Sequence, residues 1–356
     1  MGSEGSGQRE GRLGARGLSP TCSASDHVRS VTSPRTVTLD FLATLGAERF
    51  GVQQVQKVSP SLTLLSACLM VGCDLPSDDV NRPPEVEPVQ LLLLAGQSNM
   101  EGYGPITEDD VGDWPLSGSL QALVDDDIES SSLFDEREDT WVHFSSEGAA
   151  QPPGLLRPGF GATPQFIGPE LGLGERFGQR SDSPLVLFKS AVGGTTLGAD
   201  WRPPSAGGEV GALYDQMIQS FLSFRDNGLT ETFPDDLEER SYEVAAFVWL
   251  QGWNDQFEDG FVAQYEDNLV ALVGDVRADL ELPGLPAVIV EGPTLDQELR
   301  DARSAAIARL NVSQPGSAVL VETEDLVEEE IEGNFHFHFN AANYLEVGRR
   351  IADALP

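Results

Sequence analysis

The chain has 356 residues, 40% of them apolar, enough to bury a sizeable core in one large domain or two small ones. Its formal charge of -36 lies in residues 61–356, where 53 acidic side chains face 15 basic ones; so acidic a surface repels nucleic acid and anionic membranes and excludes phosphate-backbone binding as a function. Only three cysteines occur, Cys22, Cys68 and Cys73, so the chain after residue 73 has no disulfide, thiol nucleophile or cysteine metal site, and imidazole chemistry must come from His27, His143, His336 or His338.

Residues 1–56 are rich in Gly, Ser and Arg without a sustained period, the pattern of a disordered N-terminal extension. No charge appears between Lys57 and Asp74, and the apolar part, Leu62 to Gly72, has the length of a signal-peptide core but is too short to span a bilayer. Its end, Leu69-Met70-Val71-Gly72-Cys73, resembles the lipobox of bacterial lipoproteins, in which the cysteine is lipidated. The competing reading is a buried apolar segment. The resemblance implies a signal segment over 57–73, a lipid on Cys73, translation starting near Val52 or Val55, and a Pro- and Asp-rich tether over 74–87. The protein would then be exported and face the periplasm or cell exterior, touching the membrane only through its anchor.

From residue 88 the pattern changes. Near-continuous apolar runs at 89–95, 184–190, 244–251, 286–292 and 317–322 suit strands covered on both faces. Amphipathic stretches at 212–226, 261–280, 295–310 and 341–355 alternate with them, and in the last Tyr344, Val347, Ile351 and Leu355 fall on one stripe. Strand-helix alternation predicts an α/β fold, a three-layer α/β/α sandwich around a central parallel sheet, with ligand sites at the carboxyl ends of its strands. The interval 100–183 reads as a long, glycine-rich loop region on the substrate side, and no internal repeat is present.

The first strand runs into Gly96-Gln97-Ser98-Asn99-Met100. A serine at such a strand-to-helix turn points its hydroxyl into the cleft, beside backbone N–H groups that favour negative charge. It is not a GxSxG elbow, because Met100 stands where that motif has its second glycine. Three further blocks follow at later strand ends: Lys189-Ser-Ala-Val-Gly193-Gly194-Thr195-Thr196, then Gln251-Gly252-Trp253-Asn254-Asp255, then His336-Phe-His338-Phe-Asn-Ala-Ala-Asn-Tyr344-Leu-Glu-Val-Gly348. Gly159-Phe-Gly-Ala and Ile167-Gly-Pro-Glu170-Leu-Gly lie between them.

Together these blocks resemble the SGNH hydrolases over about residues 88–356, most closely their carbohydrate-esterase branch of sialate O-acetylesterase-like and acetylxylan-esterase-like proteins. The resemblance implies an SGNH, flavodoxin-like sheet and hydrolysis of acetyl esters on carbohydrate hydroxyls, with no cofactor. Ser98 would be the nucleophile and its N–H one oxyanion donor; Gly194 would give a second N–H and Asn254 a side-chain N–H. Gln97, Gln251 and Trp253 are expected to meet substrate. Trp253 departs from the Gln-Gly-Glu usual in the branch. Such donors act because ester hydrolysis passes through a tetrahedral oxyanion, each fixed donor being worth roughly 3 to 4 kcal/mol.

Serine also needs a base. In the family pattern His338 fits better, with Phe339, Tyr344 and Gly348 at matching offsets, and His336 is the alternative. In an extended segment both imidazoles would point the same way. The family's aspartate three residues before the histidine is missing: Phe335 and Gly333 occupy that offset. Glu332 is then the nearest carboxylate, with Asp325 and Glu330 behind it, and a Ser-His dyad oriented by a backbone carbonyl is the alternative. His143, Trp201 and Trp253 could touch a sugar or simply pack. No HExxH motif supports a zinc site on His336 and His338, and Gly172-x-Gly174 lacks the lysine of a phosphate loop. A carbohydrate-binding protein on a decayed hydrolase scaffold, and an esterase for longer acyl chains, remain as rivals.

Overall fold

The structure is a computed structural model that describes residues 87–356 apart from 112–117, 146–150, 234–236, 238–239, 295 and 328–333. Cys73, the segments before residue 87, Glu330 and Glu332 lie outside the described residues.

Seven strands form the main sheet: β1 (Val89–Gly96), β2 (Arg137–Phe144), β3 (Gly154–Leu156), β4 (Leu185–Ala191), β5 (Tyr242–Leu250), β6 (Ala287–Val290) and β7 (Ala318–Val321). Their order is β3-β2-β4-β1-β5-β6-β7. All neighbours run parallel except β2 and β3, which pair antiparallel. The five apolar runs of the sequence are thus strands. The interval expected to be loop supplies β2 and β3 as well: β2 begins with charged residues at Arg137, Glu138 and Asp139 and pairs with β4 only from Thr140 onward, so its signal is confined to a few apolar positions.

The central strand shows why the sandwich has three layers. Leu91, Leu93 and Ala95 face one side, joining Phe247, Trp249 and residues of the helices Ala212–Ser223, Phe261–Asp279 and Gln297–Ser313 in one core. Leu92 and Leu94 face the other, with Leu171 and Leu173 of α1 (Pro169–Gly178) and Tyr344, Val347 and Ile351 of α2 (Ala341–Ala354). Strand alternation buries both sets because helices cover both faces.

The last two helices named pack backbone against backbone. A Cβ on Gly172 would lie 2.0 Å from Leu345 O, and one on Gly348 would lie 2.0 Å from Pro169 O. These glycines therefore set helix contact, which removes any phosphate-loop reading of Gly172-x-Gly174. Chain order also changes sides around β1: β4 follows on one flank and β5 on the other. That reversal opens a crevice at the carboxyl end of β1, where α/β sheets place their ligands.

Candidate active site

A cleft of about 470 Å³ lies at this crevice, lined by Ser98, Glu101, Tyr103, Val192, Gly193, Gly194, Trp253, Asn254, Phe335 and His336. Ser98 opens the single helical turn Ser98–Glu101. The Gly193-Gly194 turn follows β4 and comes so close that a Cβ on Gly193 would sit 3.5 Å from Ser98 Cβ. Gly194 has φ 77, left-handed backbone that favours glycine, and a Cβ there would be 3.7 Å from Asn254 Nδ2. Three chain segments expected from the sequence to converge thus do so.

Beneath the cleft a buried polar network fixes these loops. Gln97 Nε2 donates to Asn254 Oδ1 at 3.4 Å, while Gln97 Oε1 accepts from Gln251 Nε2 at 3.1 Å and from Gly252 N at 3.3 Å. Gln251 Nε2 also reaches Thr195 O at 3.0 Å and Asp255 Oδ2 at 2.6 Å. Asp255, fully buried, accepts from the N–H groups of Leu197 and Gly198. Burial pushes its carboxyl up, against those same hydrogen bonds. With its oxygen held by Gln97, the Asn254 amide is left with its Nδ2 beside Gly194. Gln97 and Gln251, expected against substrate, are instead 1% and 2% exposed and tie loops together from below. Trp253 does line the cleft.

The histidine segment is not extended. Phe337, His338 and Phe339 have φ of 46, 61 and 50, three successive left-handed non-glycine residues, each costing about 1–2 kcal/mol. Phe337, fully buried and edge-on to Tyr344 at 5.5 Å, helps hold the turn. The two imidazoles consequently part: His336 lines the cleft, and His338 is buried at 4% exposure. His336 stacks on Tyr103 at 4.1 Å and lies 4.6 Å from the Phe335 ring. Burial among these rings pushes its pKa down to about 4, and its Nδ1 has no hydrogen-bond partner among the described residues. Asp325, one carboxylate weighed for that nitrogen, is held by Arg350 through bonds of 2.6 and 2.7 Å.

Asn99 joins the serine turn to the histidine turn. Its Nδ2 donates to Phe335 O at 3.0 Å, and its Oδ1 accepts from Tyr344 OH at 3.1 Å. Below the serine turn, Lys189 Nζ donates to Glu101 O at 2.7 Å, Phe160 O at 2.8 Å and Glu170 Oε2 at 2.8 Å, all out of water. Breaking one partner out of such a buried pair costs about 3–5 kcal/mol. Asn99, Glu101 and Tyr103 were missed as site residues, although Glu101 stands three positions after Ser98 on one helical turn, a spacing that shares a face.

Other candidates fall elsewhere. Trp201 is fully buried, donating to Thr195 Oγ1 at 2.8 Å and edge-on to Trp249. His143, on β2, packs between Phe188 and Phe224. Neither reaches the cleft lining. No group of three or more metal-ligating side chains occurs among the described residues.

Sheet order and crevice give an SGNH-like three-layer α/β/α fold with a serine-bearing turn at its ligand-binding edge, and the family match makes the chain a carboxylic ester hydrolase. The chain belongs to the family described as carbohydrate esterase, sialic acid-specific acetylesterase, whose model matches residues 88–356. A probable carbohydrate esterase of Arabidopsis thaliana is 25% identical over 244 residues, 65% of this chain and 81% of that protein. An X-ray structure of an Arabidopsis thaliana protein has a TM-score of 0.52 at 19% identity, covering 75% of this chain and 98% of its own. A carbohydrate acetylesterase from Xanthomonas citri has a TM-score of 0.48 at 15% identity over 74% of this chain and 55% of its own.

Asn99→Ala leaves a buried tyrosine hydroxyl and the Phe335 carbonyl without their side-chain partner. Urea unfolding should show a loss of about 1–3 kcal/mol. A change below about 0.5 kcal/mol, the range of a surface substitution, would contradict the anchoring role.

Proposed function

We propose that this esterase hydrolyses O-acetyl groups on carbohydrate hydroxyls through an acyl-enzyme on Ser98. The observation that carries the reading is the meeting of Ser98, Gly194, Asn254 and His336 on one cleft. Ser98 Oγ attacks the acetyl carbonyl, and His336, kept neutral by burial, takes the proton and returns it to the departing sugar hydroxyl. The N–H groups of Ser98 and Gly194 and the Asn254 amide stabilise the oxyanion. Gly193 N–H is engaged by the Glu101 carboxylate, which leaves the oxyanion role to the next residue. Water then releases acetate, with His336 acting as base a second time. The aromatic wall of Trp253, Phe335 and Tyr103 supports a sugar ring as substrate, since such faces stack on apolar sugar surfaces.

On 4-nitrophenyl acetate, Ser98→Ala and His336→Gln should each lower kcat by roughly 10³-fold or more, leaving the activity that oxyanion donors give alone. Rates equal to wild type would reject the mechanism and favour a protein that only binds carbohydrate.

For the group that orients the imidazole we propose Glu332, four residues before His336. What supports it is Nδ1, a buried polar atom with no partner among the described residues, which would cost about 1–3 kcal/mol if left unsatisfied. A carboxylate there raises the imidazole pKa above the value burial alone would set. Glu332→Gln should therefore move the acid limb of kcat/KM downward and slow kcat by up to about 10⁴-fold. An unchanged profile would leave a Ser-His dyad.

We also propose export with a lipid on Cys73, supported by the sequence Leu69-Met-Val-Gly-Cys73. Metabolic labelling with a fatty acid in a bacterial host should mark the protein and fail for Cys73→Ser. Equal labelling of both would refute the anchor.

A further inference from the structure

The esterase reading leaves the sugar open, and the charge of the cleft narrows it. Among the lining residues one carries a charge at neutral pH, Glu101, and none is a lysine or arginine. The undescribed stretches after residue 86 contain no lysine or arginine either, so every lysine and arginine of residues 87–356 lies among the described residues. Two that bond to the site's loops are turned away from the cleft. Lys189 is fully buried beneath the serine turn with three oxygen acceptors, and Arg303, 1% exposed, donates to Gln251 O from behind the network.

Glu101 is held in place by its neighbours. Burial raises its pKa, while Gly193 N–H and the Tyr103 hydroxyl, which both donate to it, and the nearby Lys189 favour its charged form. A Cβ on Gly193 would lie 2.8 Å from Glu101 Oε2 and 3.5 Å from Ser98 Cβ, which places the carboxylate in the same corner as the nucleophile.

Proteins recognise a substrate carboxylate with arginine or lysine, whose N–H groups and charge replace its water. Here the corner beside the nucleophile carries a negative charge instead, within a molecule of net charge -36. We propose that Glu101 is a specificity-determining residue that directs the cleft toward acetylated sugars without charge and against sugars bearing a carboxylate, sialic acid among them. The proposal deepens the esterase reading and rests on it.

A matched pair of probes tests it: an O-acetylated sialic acid and its carboxyl methyl ester, with the same acetyl group and ring but no charge on the second. At about pH 8, where carboxylates are ionised, and at low salt, the wild type should prefer the methyl ester in kcat/KM by at least about ten-fold. Glu101→Gln keeps an acceptor for Gly193 N–H while removing the charge, and should shrink that ratio by about ten-fold whatever it does to either rate alone. Preference for the free acid, a ratio unmoved by Glu101→Gln, or cleavage of neither ester would overturn the proposal. Hydrolysis of 4-nitrophenyl acetate, which carries no sugar, reports separately on the esterase reading: its loss in the wild type would be a failure of that reading instead.

Discussion

The site depends on one buried amide. Gln97 closes the central strand, and its side chain bonds to the Gln251-Gly252 turn and to Asn254 on the neighbouring strand end. Through Gln251 the same network reaches Thr195, next to Gly194. Loops that leave separate strands are thereby held at fixed separation, and the Asn254 amide can present only one of its two faces to the cleft. In a water-poor site, donors fixed in advance are what stabilises a developing negative charge, because no reorganisation is needed as the charge forms.

A second set of bonds fixes the other half. Asn99, the residue after Ser98, holds Phe335 and Tyr344, so the segment bearing His336 is fastened to the turn bearing Ser98. The left-handed backbone at residues 337–339 is unfavourable in isolation, and packing of Phe337 and the cap at Asn340 offset it. Strain of this kind persists where surroundings over-determine a conformation. The Lys189-Glu170 pair supports the same turn from below, bonding the Glu101 carbonyl at its end.

Much of this was legible in the sequence. Apolar runs with helical stretches between them identified five of the six parallel strands and the layers, and four spaced blocks identified the cleft. Local pattern ended at four features. Gln97 and Gln251 were expected to touch substrate because a polar residue at a strand end reads the same whether it faces the cleft or lies beneath it; only burial separates the two. The histidines were expected to share a face because alternation holds in extended chain, and nothing in Phe-His-Phe-His-Phe announces a left-handed turn of non-glycine residues. Strand β2 was missed because three of its eight residues are charged, and Glu101 because a glutamate after Asn-Met looks like an exposed helix position.

The convergence of these loops on a single carbonyl is tested most directly by a crystal structure of the protein after reaction with a fluorophosphonate, whose phosphoryl oxygen mimics the oxyanion. The adduct should sit on Ser98, its oxygen within hydrogen-bond distance of the Ser98 and Gly194 N–H groups and Asn254 Nδ2, with His336 facing the modified oxygen. An adduct on another residue, or a phosphoryl oxygen pointing to solvent with Asn254 turned away, would contradict the account.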